Sequence, residues 1–377
     1  MKVLIVEEAL ETLDGHWFQY LRDLVEGGRH AGHEIEVLCH VDAHPLIRET
    51  FNAHPVLKQS VWHRSFTGGM LARLKSIYVH QKNLTSQVCE FLSEKSFDVI
   101  LFPTVRVDHV PALKALSKKS GARVIGILAE SPGFYDSSGT LQFPRSASLF
   151  RILLKRAHHD VEFATESDGL RDQYLRFSNT DTFYLPHVTQ TAIEEKIPST
   201  GDLRMGTFGF TRFDKGTDIL HEALHQKTFA NLQTFIQWTG DYELPDGTQI
   251  TRDSGLENVT YLDRFERSED YAEWLTKIDF MVLPYRREFY WDKLSRVAID
   301  AAQASLPMIY PSGTWLADFV ESHAVGISFE PENPTSLAEA IEKMVTQFPT
   351  LHDQAIEKAP EVQHHFSGAH FFECLTK

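Results

Sequence analysis

Short apolar runs alternate with longer amphipathic stretches from the start of the chain. Val3–Val6 reads as a buried strand, the spacing of Phe18, Leu21, Leu24 and Val25 as a helix, and Ile35–Leu38 as a second strand. This β-loop-α-β unit predicts a parallel sheet covered by helices. The alternation continues: Phe97–Phe102 reads as a strand, Val110–Leu116 as a helix, and Arg123–Leu128, Val161–Thr165 and Phe183–Pro186 as strands. Residues 53–82 show no regular pattern.

A turn-rich stretch, Ile197–Asp202, separates this half from a second series. Met205–Phe210 reads as a strand, followed by a polar loop to Gly216 and a helix over Thr217–His225. Strands follow at Phe235–Trp238, Val259–Leu262, Phe280–Leu283 and Met308–Tyr310. The expectation is an α/β protein of two Rossmann-like domains, 1–197 and 203–360, facing a cleft at the carboxyl ends of their strands. A final amphipathic, aromatic helix near Ser367–Leu375 belongs to a tail, 361–377, that caps a domain or crosses back to the first one.

Composition narrows the function. The formal net charge of −15 argues against a nucleic-acid partner, which calls for a basic face. Three widely spaced cysteines, Cys39, Cys89 and Cys374, form neither a CxxC pair nor a disulfide framework, and point to a reducing, cytoplasmic setting. The opening apolar run is too short for a signal peptide, and no stretch is long enough to span a bilayer. Any membrane contact is expected to be peripheral, at the inner face. No carboxylate–histidine spacing suggests a metal site, and neither a P-loop nor a GxGxxG fingerprint occurs.

The most informative segment is Leu283–Tyr310. Asp292 precedes a helical pattern that carries Asp300, and an acidic residue there suits a helix start. Open backbone N–H groups at Leu294 and Ser295 would then face an anion. A second segment, Gly209-Phe-Thr-Arg212-Phe-Asp-Lys215-Gly216, delivers two cations from a strand into a loop before a helix. Arg supplies a planar fork and Lys a point charge, a pair suited to a diphosphate. Asp14-Gly15-His16 in the first strand–helix loop and Ala129-Glu130-Ser131-Pro132-Gly133 after a later strand are further candidates. So are His109 and His187, whereas His158 and His159 read as surface.

Asp292, seven residues, Asp300, Ala301, Ala302, Ser305, Leu306 and Pro307 resemble the signature of the retaining glycosyltransferases of family 4, also called group 1. Pro311–Asp318, Gly326 and Pro331–Pro334 resemble that family's closing pattern. The family usually has Glu at both acidic positions and a Gly-rich stretch after the first. This chain has Asp twice and Lys293-Leu294-Ser295-Arg296 instead. The resemblance is specific over residues 206–345.

It implies a metal-independent enzyme without cofactor that moves a sugar from a nucleotide-diphosphate sugar, with retention. The acceptor hydroxyl would be on a saccharide, a lipid-linked molecule or a small molecule. Arg212, Lys215, Gly15, His16 and the N–H groups of Leu294 and Ser295 would serve the donor's phosphates and sugar. Asp292 and Glu130 would lie at the reacting sugar, Asp300 at the ribose, and Arg264 and Phe265 at the base. The alternatives are an epimerase or inverting transferase on the same fold, and a non-catalytic nucleotide-sugar-binding subunit.

Overall fold

A computed structural model describes residues 1–13, 16–63, 69–136, 138–189, 201–264 and 268–377. The chain divides into two compact units, Met1–Val188 with Ser367–Lys377, and Thr189–Phe366.

The first unit is built on seven strands: β1 (Lys2–Val6), β2 (Glu34–His40), β3 (His54–Leu57), β4 (Val99–Phe102), β5 (Arg123–Ile127), β6 (Glu162–Thr165) and β7 (Phe183–Tyr184). They lie in the order 3-2-1-4-5-6-7, all parallel. Helices α1 (His16–His30), α2 (Pro45–Phe51), α3 (Met70–Phe91), α4 (Val110–Ser120), α5 (Ser148–Ala157) and α6 (Asp168–Ser178) connect and cover them. The reason Val3–Val6 is apolar without interruption is visible in the packing. Val3 and Ile5 enter one core with Leu21, Leu24 and Val25 of α1, whereas Leu4 and Val6 enter another with Leu84 and Val88 of α3. A parallel strand covered on both faces needs apolar residues at every position.

The second unit repeats the plan. Strands β8 (Leu203–Thr207), β9 (Leu232–Gln237), β10 (Val259–Leu262), β11 (Phe280–Val282), β12 (Met308–Pro311) and β13 (Gly326–Phe329) lie in the order 10-9-8-11-12-13. All are parallel. The helices are α7 (Thr217–Gln226), α8 (Ser268–Lys277), α9 (Arg287–Tyr290), α10 (Arg296–Gln303), α11 (Trp315–His323) and α12 (Pro334–His365). Phe280, Val282 and Ile309 pack with α7 and α12, and Met281 and Met308 with α10 and α11.

The expected break at 360/361 falls inside α12, which runs past Pro360 to His365. The last helix, α13 (Gly368–Thr376), starts after a Ser367 cap whose hydroxyl accepts the His370 N–H. Its Phe371, Phe372 and Leu375 are fully buried in the core of the first unit. Gly27 of α1 meets Gly368 so closely that a Cβ on Gly27 would sit 2.4 Å from the Gly368 Cα, so only glycine fits this crossing. The segment 53–82, patternless in sequence, holds β3 and the first half of α3. The expected linker, residues 197–202, lies largely outside the described residues.

Candidate functional site

In parallel α/β sheets, ligands gather at the carboxyl ends of the strands, where the connecting loops converge. The candidate residues of both units stand on such edges.

In the second unit, the loop after β8 is pinned from several sides. The Gly209 N–H donates to the side chain of Gln237, the last residue of β9, at 2.7 Å, and the Thr211 N–H to the hydroxyl of Thr239, just beyond it, at 2.8 Å. At its far end Gly216 adopts φ +66°, and a Cβ there would lie 1.9 Å from the Pro284 carbonyl oxygen, just beyond β11. Both the backbone conformation and the close approach require glycine. The loop is thus held against the β11 end, and Val297, in the first turn of α10, lies 3.9 Å from the Gly209 Cβ position.

The two cations of this loop differ. Arg212 is exposed and pairs with Asp214 at 3.1 Å. Lys215 is half-buried, with Nζ 3.7 Å from the ring centre of Tyr285 and 4.9 Å from that of Tyr290. Burial pushes the Lys215 ammonium down to about 7, against the pull of Asp214 and aided by Arg212. Asp214 also accepts from Tyr290 at 3.4 Å and lies 4.0 Å from the Lys293 ammonium. The loop's underside rests on Arg286, whose guanidinium stacks 4.1 Å from the Phe213 ring centre, donates to the Phe213 carbonyl and pairs with Asp218. Sequence reasoning missed Arg286. Its signal was a basic residue in Pro-Tyr-Arg-Arg directly after a buried strand.

Asp292 does not stand at the helix start. α10 begins at Arg296, and Ser295 is its N-cap, with its hydroxyl accepting the Ala298 N–H at 3.4 Å. The physical reason lies upstream. Tyr290, at the end of α9, packs its ring 4.5 Å from Tyr285, and the chain spends Trp291–Leu294 turning out of that contact before it can enter α10. Asp292 is half-buried in this turn, on the same sheet edge. Leu294 and Ser295 immediately precede the helix rather than lying in its first turn, so the open donors belong to the residues after them.

Asp300, expected at the ribose, is only 2% exposed. It accepts from the Thr189 hydroxyl at 2.7 Å and lies 3.6 Å from the Arg296 guanidinium. Arg264 is exposed, with its guanidinium 5.3 Å from the Phe210 ring centre. Gly15 and Phe265 lie outside the described residues, and His16 opens α1.

The first unit's edge has another chemistry. Directly after β1, Glu7 and Glu8 are both buried. Burial pushes the Glu7 carboxyl up to about 8, despite a 2.9 Å hydrogen bond from the Ala9 N–H, with the Glu8 charge adding to the rise. Burial acts on Glu8 too, but His109 and His80 outweigh it and hold its carboxyl down at about 2. Nε2 of His80 lies 2.6 Å from Glu8 Oε1, and Nε2 of His109 lies 3.3 Å from Oε2.

These three residues bring possible metal-ligand atoms within 4.8 Å of one another. Their hydrogen bonds are those of a buried network centred on the Glu8 carboxylate instead. Nδ1 of His109 accepts the Arg106 N–H at 2.9 Å, which puts that ring's proton on Nε2, where it donates to Glu8 and leaves no lone pair for a metal. Further along the edge, Nδ1 of His187 hydrogen-bonds to the Glu166 carboxylate at 2.8 Å, and the ring stacks on Tyr20. Glu130, after β5, is exposed, and its carbonyl accepts from the Tyr174 hydroxyl at 2.7 Å.

Residues 203–347 match the family model described as "Glycosyl transferases group 1". None of the curated proteins matches the chain by sequence. Among solved structures, HepE from Anabaena, crystallised with UDP and glucose, is similar over 100% of this chain and 98% of its own, at 13% identity and a TM-score of 0.66. Sucrose-phosphate synthase from Thermosynechococcus elongatus is similar over 100% and 96%, at 14% identity and a TM-score of 0.67. A glycosyltransferase from Rickettsia africae is similar over 100% and 97%, at 12% identity and a TM-score of 0.68. At such identities the likeness is one of fold, and the fold is the expected one of two Rossmann-like domains.

Proposed function

We propose that this chain, whose residues 203–347 form a group 1 glycosyl transferase domain, moves a sugar from a UDP-sugar to an acceptor hydroxyl with retention and without a metal. The observation that carries the proposal is the pinned loop with Arg212 and Lys215, set beside the start of α10 inside the family-matched segment. Uridine is chosen as the base because HepE was crystallised with UDP-glucose.

In this reading the diphosphate takes the place that Asp214 now fills at Arg212. It also restores the charge on Lys215, because a nearby dianion raises an ammonium pKa that burial had lowered. The bond from the sugar's anomeric carbon to the phosphate oxygen breaks. The acceptor oxygen bonds to that carbon on the same face, and its proton passes to the departing phosphate. Catalysis then rests on stabilising the leaving diphosphate and on positioning.

Asp292 holds the transferring sugar, a role we assign to Glu130 as well, and Gly15 and His16 serve the donor. Arg264 and Phe265 flank the base. A ribose hydroxyl reaching Asp300 has to displace Thr189 or Arg296, so the backbone beside Ser295 is the readier partner. The acceptor is a saccharide, free or lipid-linked, and the setting is cytoplasmic.

The test is turnover of a panel of UDP-sugars in chelator, followed by mass spectrometry of the products. Transfer is expected without metal. Asp292→Asn should lower turnover by roughly 100-fold, the scale of losing one transition-state contact, while leaving UDP affinity within about twofold. An Asp292→Asn protein with full turnover removes Asp292 from the site. UDP binding with no turnover of any UDP-sugar favours the non-catalytic subunit.

A further inference from the structure

Helix α3 is apolar on two sides. Ile77, Leu84 and Val88 face inward and join the core of the first unit. On the outward side of its first half, Leu71 is 83% exposed, Leu74 42% and Tyr78 63%, with Met70 at 75%. Leu71, Leu74 and Tyr78 are spaced three and four residues apart, so they form one stripe along the helix. Lys75 and Lys82, both exposed, stand four residues from Leu71 and Tyr78 respectively, on the same side of the helix. The apolar stripe ends by Val79, beyond which Lys82, Ser86 and Glu90 point outward.

The charge along this stretch of the chain is unlike the rest. The protein carries a net −15, yet no Asp or Glu occurs between Glu49 and Glu90, a stretch that includes Lys58, Arg64, Arg73, Lys75 and Lys82. Exposed apolar stripes of this kind mark an interaction surface. A second copy meeting the same stripe about a two-fold axis would bury Lys75 without an acidic partner from this stretch. An acyl-chain boundary beneath anionic headgroups satisfies both kinds of side chain at once: the leucines and tyrosine insert, and the lysines extend their stems to meet the charge.

We propose that the first half of α3 docks the protein, parallel to the surface, on an anionic lipid bilayer. Among the described residues no helix is long and apolar enough to cross a membrane, so the attachment is peripheral. The inference stands apart from the transferase reading and uses none of its residues.

The test is co-sedimentation of the full chain with phosphatidylcholine vesicles, with and without phosphatidylglycerol. Binding is expected only to the anionic vesicles, falling as salt rises. Lys75→Gln with Lys82→Gln should weaken partitioning roughly 25-fold, about fivefold per lysine. Leu71→Ser with Leu74→Ser should weaken it by at least about tenfold. These positions are exposed, so circular dichroism and melting should match the parent. Equal binding to neutral and anionic vesicles, or unchanged binding by both double variants, overturns the proposal. So does failure to bind vesicles together with a dimer that Leu71→Ser dissolves.

Discussion

The two sheet edges share a strand order and differ in chemistry. In each unit the first strand lies between the second and fourth, so the same kind of loops converge at the carboxyl ends. On the second unit's edge those loops present Arg212, Lys215 and Lys293, with Arg286 underneath. On the first unit's edge stand Glu7, Glu8, Glu130 and Glu166 with His109, His187 and, from α3, His80. The sheet therefore supplies a place and the loops decide what it suits. A cationic edge suits an anion, whereas the first unit's carboxylates and imidazoles are largely bonded to one another. Burial also works in opposite senses on the two. It raises Glu7 to about 8 and lowers Lys215 to about 7, leaving each easily discharged near neutral pH.

Breaking the acidic edge should cost the most. Glu8→Ala leaves His80 and His109 facing a buried gap, and loss of one partner from such a group costs about 3–5 kcal/mol. Urea unfolding should show it, while UDP affinity stays unchanged if the edges are chemically independent. The wild-type contribution of Glu8 is present above the ordinary carboxyl range. It fades as the pH falls toward about 2, so the gap between wild type and variant should narrow in acid.

The next effects have opposite pH slopes. Glu7 binds its proton more tightly when folded, so stability is lost as the pH rises from the usual carboxyl range through about 8. Glu7→Gln should gain on wild type between pH 5 and about 8, tracked by denaturant midpoints. Lys215 holds its proton less tightly when folded. Its contribution is therefore complete above the ordinary lysine range and is lost as the pH falls toward about 7. Lys215→Met should lose that slope. Parallel slopes for the two variants would erase the contrast between the edges. The smallest effect belongs to Ser295→Ala, which removes the α10 cap and should cost about 1 kcal/mol. Asp292→Ala should leave that helix end untouched, a difference that thermal melts of the pair can read.

How much of this was legible in the sequence depended on the range of the interactions. Val3–Val6 and Phe280–Leu283 announced buried parallel strands because covering on both faces leaves its mark in consecutive residues. The Arg212–Gly216 loop was readable for the same reason, since its cations and its glycine are neighbours in the chain. α3 was hidden because Leu71, Leu74 and Tyr78 put apolar residues on the outward face, which erases the polar side that marks a surface helix. The cap was misplaced because Asp292 and Ser295 are both good caps, and the choice between them was made by the packing of Tyr290 on Tyr285. The Glu8 network had no local trace, as its partners His80 and His109 lie 72 and 101 residues away.

The central claim is that the second unit's cationic edge binds a diphosphate through Arg212 and Lys215. The most direct measurement is calorimetric titration of UDP, UMP and uridine, in chelator, into wild type, Arg212→Ala and Lys215→Ala. The account predicts tightest binding for UDP and a loss of roughly ten- to a hundredfold in each variant, the cost of one charge-assisted contact. It also predicts little change in either variant for uridine. Equal affinity for UDP and uridine, or UDP affinity untouched in both variants, would contradict it.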